Sequence, residues 1–193
     1  MPRTKQFSEE EVLQKAVELF WRKGYSATSI QDLVNYLGIN RASLYDAFGG
    51  KKQLFDKAYK SYKKTNINFL ANFLSKQSNV KKGLLNLFEF PINASNFQES
   101  TRGCFTVNTT TEMIPEDALI HELLIENKNE VEVVFYGFLK KGVERGEISP
   151  EKDLVKIASF LYMMLNGIMV IGKVNPDKHY LLSIVETSLS ILD

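Results

Sequence analysis

The chain has 193 residues, 44% of them hydrophobic and 24% charged, enough apolar material to bury a full core as one or two domains. Its single cysteine excludes an intramolecular disulfide and fits a reducing cytoplasm, and Cys104, His121 and His179 do not show metal-ligand spacing. A net charge of +1 hides an asymmetry: residues 1–65 hold 12 Lys and Arg against 7 Asp and Glu, whereas the rest holds 12 against 16.

The segment MPRTKQFSEEE runs from a basic arm into a helix without a secretory pattern. Ser8 and Glu11 have capping-box spacing, Val12, Leu13, Ala16, Val17 and Phe20 recur at helical spacing, and Gly24 stands where a helix stops. This predicts a supporting helix over residues 8–24. A second helix opens at Thr28 or Ser29 and puts Ile30, Leu33, Val34 and Leu37 on one face. Gly38 tolerates the left-handed conformation of a sharp turn, and Ile39 plugs the angle. Asn40 then caps a third helix, in which Leu44 and Phe48 face inward and Arg41, Ala42, Ser43, Tyr45 and Asp46 look outward. An outward face of this kind suits a DNA major groove, where arginine reads guanine edges and hydroxyls reach phosphates or bases.

Gly24-Tyr25, Thr28 to Gly38, Leu44-Tyr45, Phe48 and Lys51 at the head of a long helix together resemble the DNA-binding domain of the TetR/AcrR family of bacterial transcriptional regulators, over residues 8–60. The resemblance implies DNA contacts from Arg41, Ala42, Ser43 and Tyr45 in or beside the groove. It also implies that Thr28, with Ser29 beside it, and Lys51 grip phosphates from two helix N-termini, where free N–H groups favour an anion. Two positions depart from the pattern. Gly49-Gly50 replaces the usual cap before Lys51, and Asp46 stands where a neutral or basic residue is common, a carboxylate expected to accept from a cytosine amino group or, the reading adopted, to turn toward a neighbouring Arg or Lys.

Beyond this unit a connecting helix is expected over residues 51–75, with Leu54, Phe55, Ala58, Tyr59 and Tyr62 toward the small domain and Phe69, Leu70, Phe73 and Leu74 toward the larger one. A helix from Val80 to Phe90 should end at Pro91, and residues 93–102 read as a loop. Residues 103–113 mix strand propensity with helical spacing; the family makes a helix here, and that reading is adopted. Helices are expected from Pro115 to Glu144, from the Ser149-Pro150 start to about residue 173, and over residues 176–192. The most apolar run, Phe160 to Ile171, is interrupted by Asn166 and Gly167 and is too short to span a bilayer core of ~30 Å, which points to a soluble protein without a membrane partner.

The last two helices are apolar on more than one side, which predicts a second subunit packed on Leu161, Leu165, Ile168, Leu182, Val185 and Leu189, and the family dimerises in this way. Phe88, Phe105, Asn108, Thr109, Glu112, Met113, Phe135, Phe138, Tyr162 and Asn166 combine aromatic walls with a few polar groups, as a small-molecule cavity does. Cys104 reads as a small buried apolar side chain, with an oxidant or electrophile sensor as the variant. Gly49-Gly50-Lys51 lacks the earlier glycine and final hydroxyl of a phosphate loop, and no catalytic constellation or cofactor motif is found.

The expectation is therefore an all-α protein: an N-terminal three-helix helix-turn-helix DNA-binding domain over residues 1–50, joined to a larger helical ligand-binding and dimerisation domain over residues 51–193. Its expected function is that of a cytoplasmic, ligand-responsive transcriptional regulator. It would repress from a palindromic double-stranded DNA operator as a homodimer, and a small apolar or amphipathic effector would release it. The alternative is a helical small-molecule carrier or scaffold whose N-terminal unit contacts protein.

Overall fold

The structure is a computed structural model that describes residues 8–93 and 103–193. Among these residues no strand occurs, and the helices are α1 (Glu9–Lys23), α2 (Ile30–Leu37), α3 (Arg41–Phe48), α4 (Lys51–Ser75), α5 (Val80–Asn93), α6 (Phe105–Met113), α7 (Ala118–Glu144), α8 (Leu154–Val174) and α9 (Lys178–Leu189), closed by a 3-10 turn at Ser190–Leu192. Of the loop expected over residues 93–102, Asn93 instead ends α5 and the rest lies outside the described residues.

Two compact units divide the chain. The first runs up to Thr65 and takes in Asn108–Leu123, so it extends well past the sequence boundary at residue 50. The reason lies in the first turns of α4, where Leu54, Phe55, Ala58 and Tyr59 are fully buried and complete the small core with Phe20, Leu33, Leu37, Leu44 and Phe48. Phe55 meets Phe20 edge-on at 5.0 Å and Tyr25 at the same distance, and each such buried ring stabilises by about 1.5–3 kcal/mol.

Local chemistry sets the ends of these helices. Ser8 caps α1 by accepting from the Glu11 N–H, three glutamates occupy its first turn, and Arg22 and Lys23 its last, all in the sense the helix dipole favours. Ser29 and Asp32 form the reciprocal capping box of α2. Gly38 then adopts φ +70°, a left-handed conformation nearly free of cost only for glycine, and its N–H closes on the Val34 carbonyl at 3.1 Å. Asn40 caps α3 through its Oδ1, which accepts from Ser43 N–H at 2.8 Å.

The second unit comprises Asn66–Val107 and Leu124–Asp193. Its core joins Leu70 and Leu74 of α4 to Leu84, Phe88 and Ile92 of α5, Phe135 and Leu139 of α7, Leu161 and Ile168 of α8, and Val185 and Leu189 of α9. Three helix limits differ from the sequence reading. α5 continues past Pro91 because Ile92 is held in the core. α7 begins at Ala118, after Asp117 Oδ1 accepts the Ile120 N–H at 3.0 Å. Ser149-Pro150 belongs to a turn, closed by Lys152 N–H on the Ser149 carbonyl at 3.2 Å with proline at its second position, and Asp153 is the cap that starts α8.

The dimer residues expected from sequence need correction. Leu161, Ile168, Val185 and Leu189 are buried inside the single chain, and Leu165 and Leu182 pack against the same core. On α8 the buried stripe is Ile157, Ala158, Leu161, Met164, Ile168 and Gly172, while a second stripe at the same spacing, Met163, Gly167, Val170 and Val174, is exposed, with Met163 70% and Val174 79% accessible. A two-residue offset is about 200° on a helix, so the stripes lie on opposite faces. On α9, Tyr180, Ile184 and, beyond its end, Ile191 form the corresponding exposed face. α8 is also longer than the apolar run seen in sequence: its 21 residues span roughly 31 Å, so by length and composition it would cross a bilayer, yet one full face is spent on the core.

Candidate functional site

The outward face of α3 carries Arg41, Ala42, Tyr45 and Asp46, all exposed, with Ser43 half-buried and its N–H held by the cap. The Arg41 guanidinium lies 5.9 Å from the centroid of the Tyr45 ring, a contact that keeps both side chains on one patch. Leu44 and Phe48 anchor the opposite face in the core. The arrangement presents one planar cation and one phenol at the start and middle of an eight-residue helix, which suits base-edge and phosphate contacts in a groove.

Of the N-terminal residues expected to hold phosphates, Thr28 does not serve through its side chain. It is fully buried, and its hydroxyl donates to the Gly24 carbonyl at 2.5 Å, fastening the turn after α1. The exposed Ser29 hydroxyl donates to Asp32 at 2.6 Å within the capping box. Lys23 pairs with the same carboxylate at 2.6 Å, and these bonds, Lys23's first, hold Asp32 far below the usual carboxylate range. The Lys51 ammonium stands 4.3 Å from the Tyr25 ring centroid and donates to the Ser26 carbonyl at 3.4 Å. Burial there lowers its pKa, while Glu112 and Asp32 oppose the shift. Asp46 is exposed and pairs with no Arg or Lys among the described residues, contrary to the sequence expectation.

The turn between α1 and α2 has a partner that sequence reasoning assigned elsewhere. Glu112 of α6 accepts the backbone N–H groups of Tyr25 at 2.9 Å and Ser26 at 2.7 Å. Gly24, at φ +84°, leaves room for this carboxylate, since a Cβ there would stand 3.1 Å from both oxygens. Lys52 adds a second tie within the unit, bonding Asp56 at 2.5 Å and Asp117 at 2.9 Å.

The expected ligand residues divide between the two units. In the second, Phe88, Phe135 and Phe138 lie in one buried cluster, Tyr162 packs against it, Phe105 is buried, and Asn166 is half-buried with its amide donating to the Tyr162 carbonyl at 2.7 Å. In the first, Thr109 and Met113 are buried, Asn108 is half-buried, and the Glu112 carboxylate is committed to the α1–α2 turn. Asn127, absent from the sequence list, is buried in α7 with its Oδ1 unpaired among the described residues. Its register with the buried Ile120, Leu123, Leu124 and Val131 was the available signal. Cys104 is half-buried. Among the described residues no cluster of His, Cys, Asp and Glu is arranged to hold a metal.

Two family models match the chain: "Bacterial regulatory proteins, tetR family" over residues 12–58 and "Tetracyclin repressor-like, C-terminal domain" over residues 81–187. The chain belongs to the TetR family. It is 34% identical over 194 residues, covering both chains fully, to the uncharacterized HTH-type transcriptional regulator YezE of Bacillus subtilis (strain 168). With the HTH-type transcriptional repressor ComR of Escherichia coli (strain K12) it shares 29% over 190 residues, 98% of this chain and 90% of the relative. Among solved structures, a cysteine mutant of the TetR-family regulator CifR complexed with 26 bp double-strand operator DNA superposes with a TM-score of 0.85 at 26% identity, covering 99% of this chain and 100% of the other. This TetR-family protein is accordingly a DNA-binding transcriptional regulator and not an enzyme. Family membership sets aside the carrier or scaffold alternative.

Proposed function

We propose that this TetR-family regulator represses transcription as a cytoplasmic homodimer on a palindromic operator and leaves the DNA when a small apolar or amphipathic effector enters the second unit. The observation that carries the DNA part is the capped α3, whose exposed Arg41–Tyr45 patch is fixed to a buried core. A relative named as a repressor and a structural neighbour held on operator DNA support the direction of regulation. The homodimer reading rests on the exposed stripe of Met163, Val170 and Val174 with Tyr180 and Ile184 beside it. Two helices from each chain meeting there make a four-helix interface, and a two-fold dimer matches two half-sites roughly 34 Å apart. Selecting bound duplexes from a random pool tests the reading. A recovered palindrome supports it, and recovery of unrelated or non-palindromic sequences overturns it.

One observation favours a thiol-responsive variant. The Lys173 side chain lies against Gly103, the residue before the chain's single cysteine, Cys104. In that variant an oxidant or alkylating electrophile releases the DNA, and Cys104→Ser abolishes the response while leaving operator affinity unchanged.

A further inference from the structure

We propose that the second unit holds a recognition site for one uncharged small molecule bearing a hydrogen-bond donor, a hydroxyl or a carboxamide N–H, received by Asn127 Oδ1 with the Tyr162 hydroxyl beside it. Asn127 is 97% buried on α7, and its Oδ1 meets no donor among the described residues. An interior acceptor without a partner is costly, so natural folds rarely retain one unless something else supplies the bond. Two other buried side-chain oxygens lack partners among the described residues. Glu132 Oε1 belongs to a carboxylate whose other oxygen is already bonded to Lys128 at 2.8 Å, and Thr109 Oγ1 lies in the first unit.

The neighbourhood of Asn127 defines the ligand. Burial raises the pKa of the Tyr162 phenol, while hydrogen bonds from Asn166 and Asn127 act in the opposite direction. The Asn127 amide therefore lies within reach of the phenol, while the Asn166 Nδ2 donates to the Tyr162 backbone carbonyl at 2.7 Å. The Asn127 Oδ1 accepts from no donor among the described residues, and a phenolic O–H is itself a donor. An acceptor and a donor side by side complement an alcohol or a primary amide. A ligand carboxylate would face the Oδ1 lone pairs, and a ligand ammonium would lose its hydration beside a 97% buried neutral amide that offers it no counter-charge. Leu124 and Val131, buried three and four positions from Asn127 on the same helix, supply apolar surroundings for the rest of the molecule.

The proposal rests on the effector reading only in identifying occupancy of this site with release of DNA. The test uses the full chain and four matched probe series of graded size: neutral alcohols and carboxamides, the corresponding carboxylates, the amines, and the hydrocarbons. Binding is followed by calorimetry and thermal shift. Alcohols or carboxamides should bind and raise Tm, the charged analogues should not, and Asn127→Leu should weaken binding at least tenfold while raising the Tm of the free protein. Tyr162→Phe, which keeps the ring, should weaken binding in the same order and covers the case in which the leucine variant fails to fold. Equal binding of the neutral and charged series, unchanged affinity in both variants, or a crystal structure of the probe-soaked protein with only a water at Oδ1 would overturn the site. Neutral probes that bind through Asn127 without altering operator affinity would leave the site standing and remove the effector reading instead.

Discussion

The carboxylate of Glu112 accepts the backbone N–H of Ser26 at 2.7 Å, across 86 positions of sequence. With its second bond to Tyr25, it fixes the turn that orients α2 and α3 against α1, and α6 from Asn108 onward belongs to the DNA-binding unit. Removing the acceptor frees two N–H groups in a partly hydrated turn, so Glu112→Ala should destabilise the first unit by ~1–2 kcal/mol, and Glu112→Gln by less because one carbonyl acceptor survives. Urea denaturation of the variants measures the loss. Unchanged midpoints would show that the turn holds without this carboxylate.

Arg41 and Lys51 should fail in different ways. Arg41 sits on the exposed face of α3, so Arg41→Ala should relax sequence preference at one position of each half-site, by roughly 1–3 kcal/mol. Lys51, at the head of α4 beside Ser26, should act on phosphate. Lys51→Ala should weaken all duplexes alike and flatten the salt slope by about one unit. Fluorescence anisotropy against selected and scrambled duplexes over a salt series separates the two outcomes.

The two stripes of α8 give opposite predictions for one substitution. Met163→Arg or Val174→Arg places charge on the exposed face and should yield a folded monomer with lost operator binding. Leu161→Arg, at a fully buried position in the core, should unfold the chain. Light scattering combined with circular dichroism decides. A folded dimer retained in both exposed-face variants would place the subunit contact elsewhere.

Acid should weaken the first unit. Asp32 is held low by hydrogen bonds from Lys23 and Ser29, and Asp117 is held low, against burial, by the Ile120 N–H and Lys52. A carboxylate whose folded pKa lies below its unfolded value of about 3.9 contributes stability above that pH, and the contribution disappears as pH falls through the folded value. Lys52 is shifted the other way, upward, because the bonds and charges of Asp56 and Asp117 outweigh burial. Its contribution therefore persists until pH rises past the usual lysine value. Urea unfolding between neutral pH and about pH 3, repeated on Asp32→Asn and Asp117→Asn, should show the acid loss shrinking in each variant.

What the sequence by itself determined was local. Ser29, Gly38, Asn40 and the spacing of Leu33, Leu37, Leu44 and Phe48 specify two short helices and the turn between them through backbone capping and one apolar face each, interactions that span a few residues. The Ser29-Asp32 capping box is equally legible, its two members three residues apart. The same local rules yielded α4 from Lys51 to Ser75 without error. Tertiary structure decided what depends on distant partners. Both stripes of α8 are apolar at the same spacing, so periodicity cannot choose which faces inward. Packing against α5, α7 and α9 makes Leu161 and Ile168 core and leaves Met163 and Val170 outside. Glu112 lies among residues with the make-up of a ligand cavity, yet two N–H groups on a turn more than eighty positions away claim its carboxylate. Thr28 looked like a free cap until the fold buried it against the Gly24 carbonyl. In each case the deciding term is desolvation or a hydrogen bond formed only when remote segments meet, which no local pattern encodes.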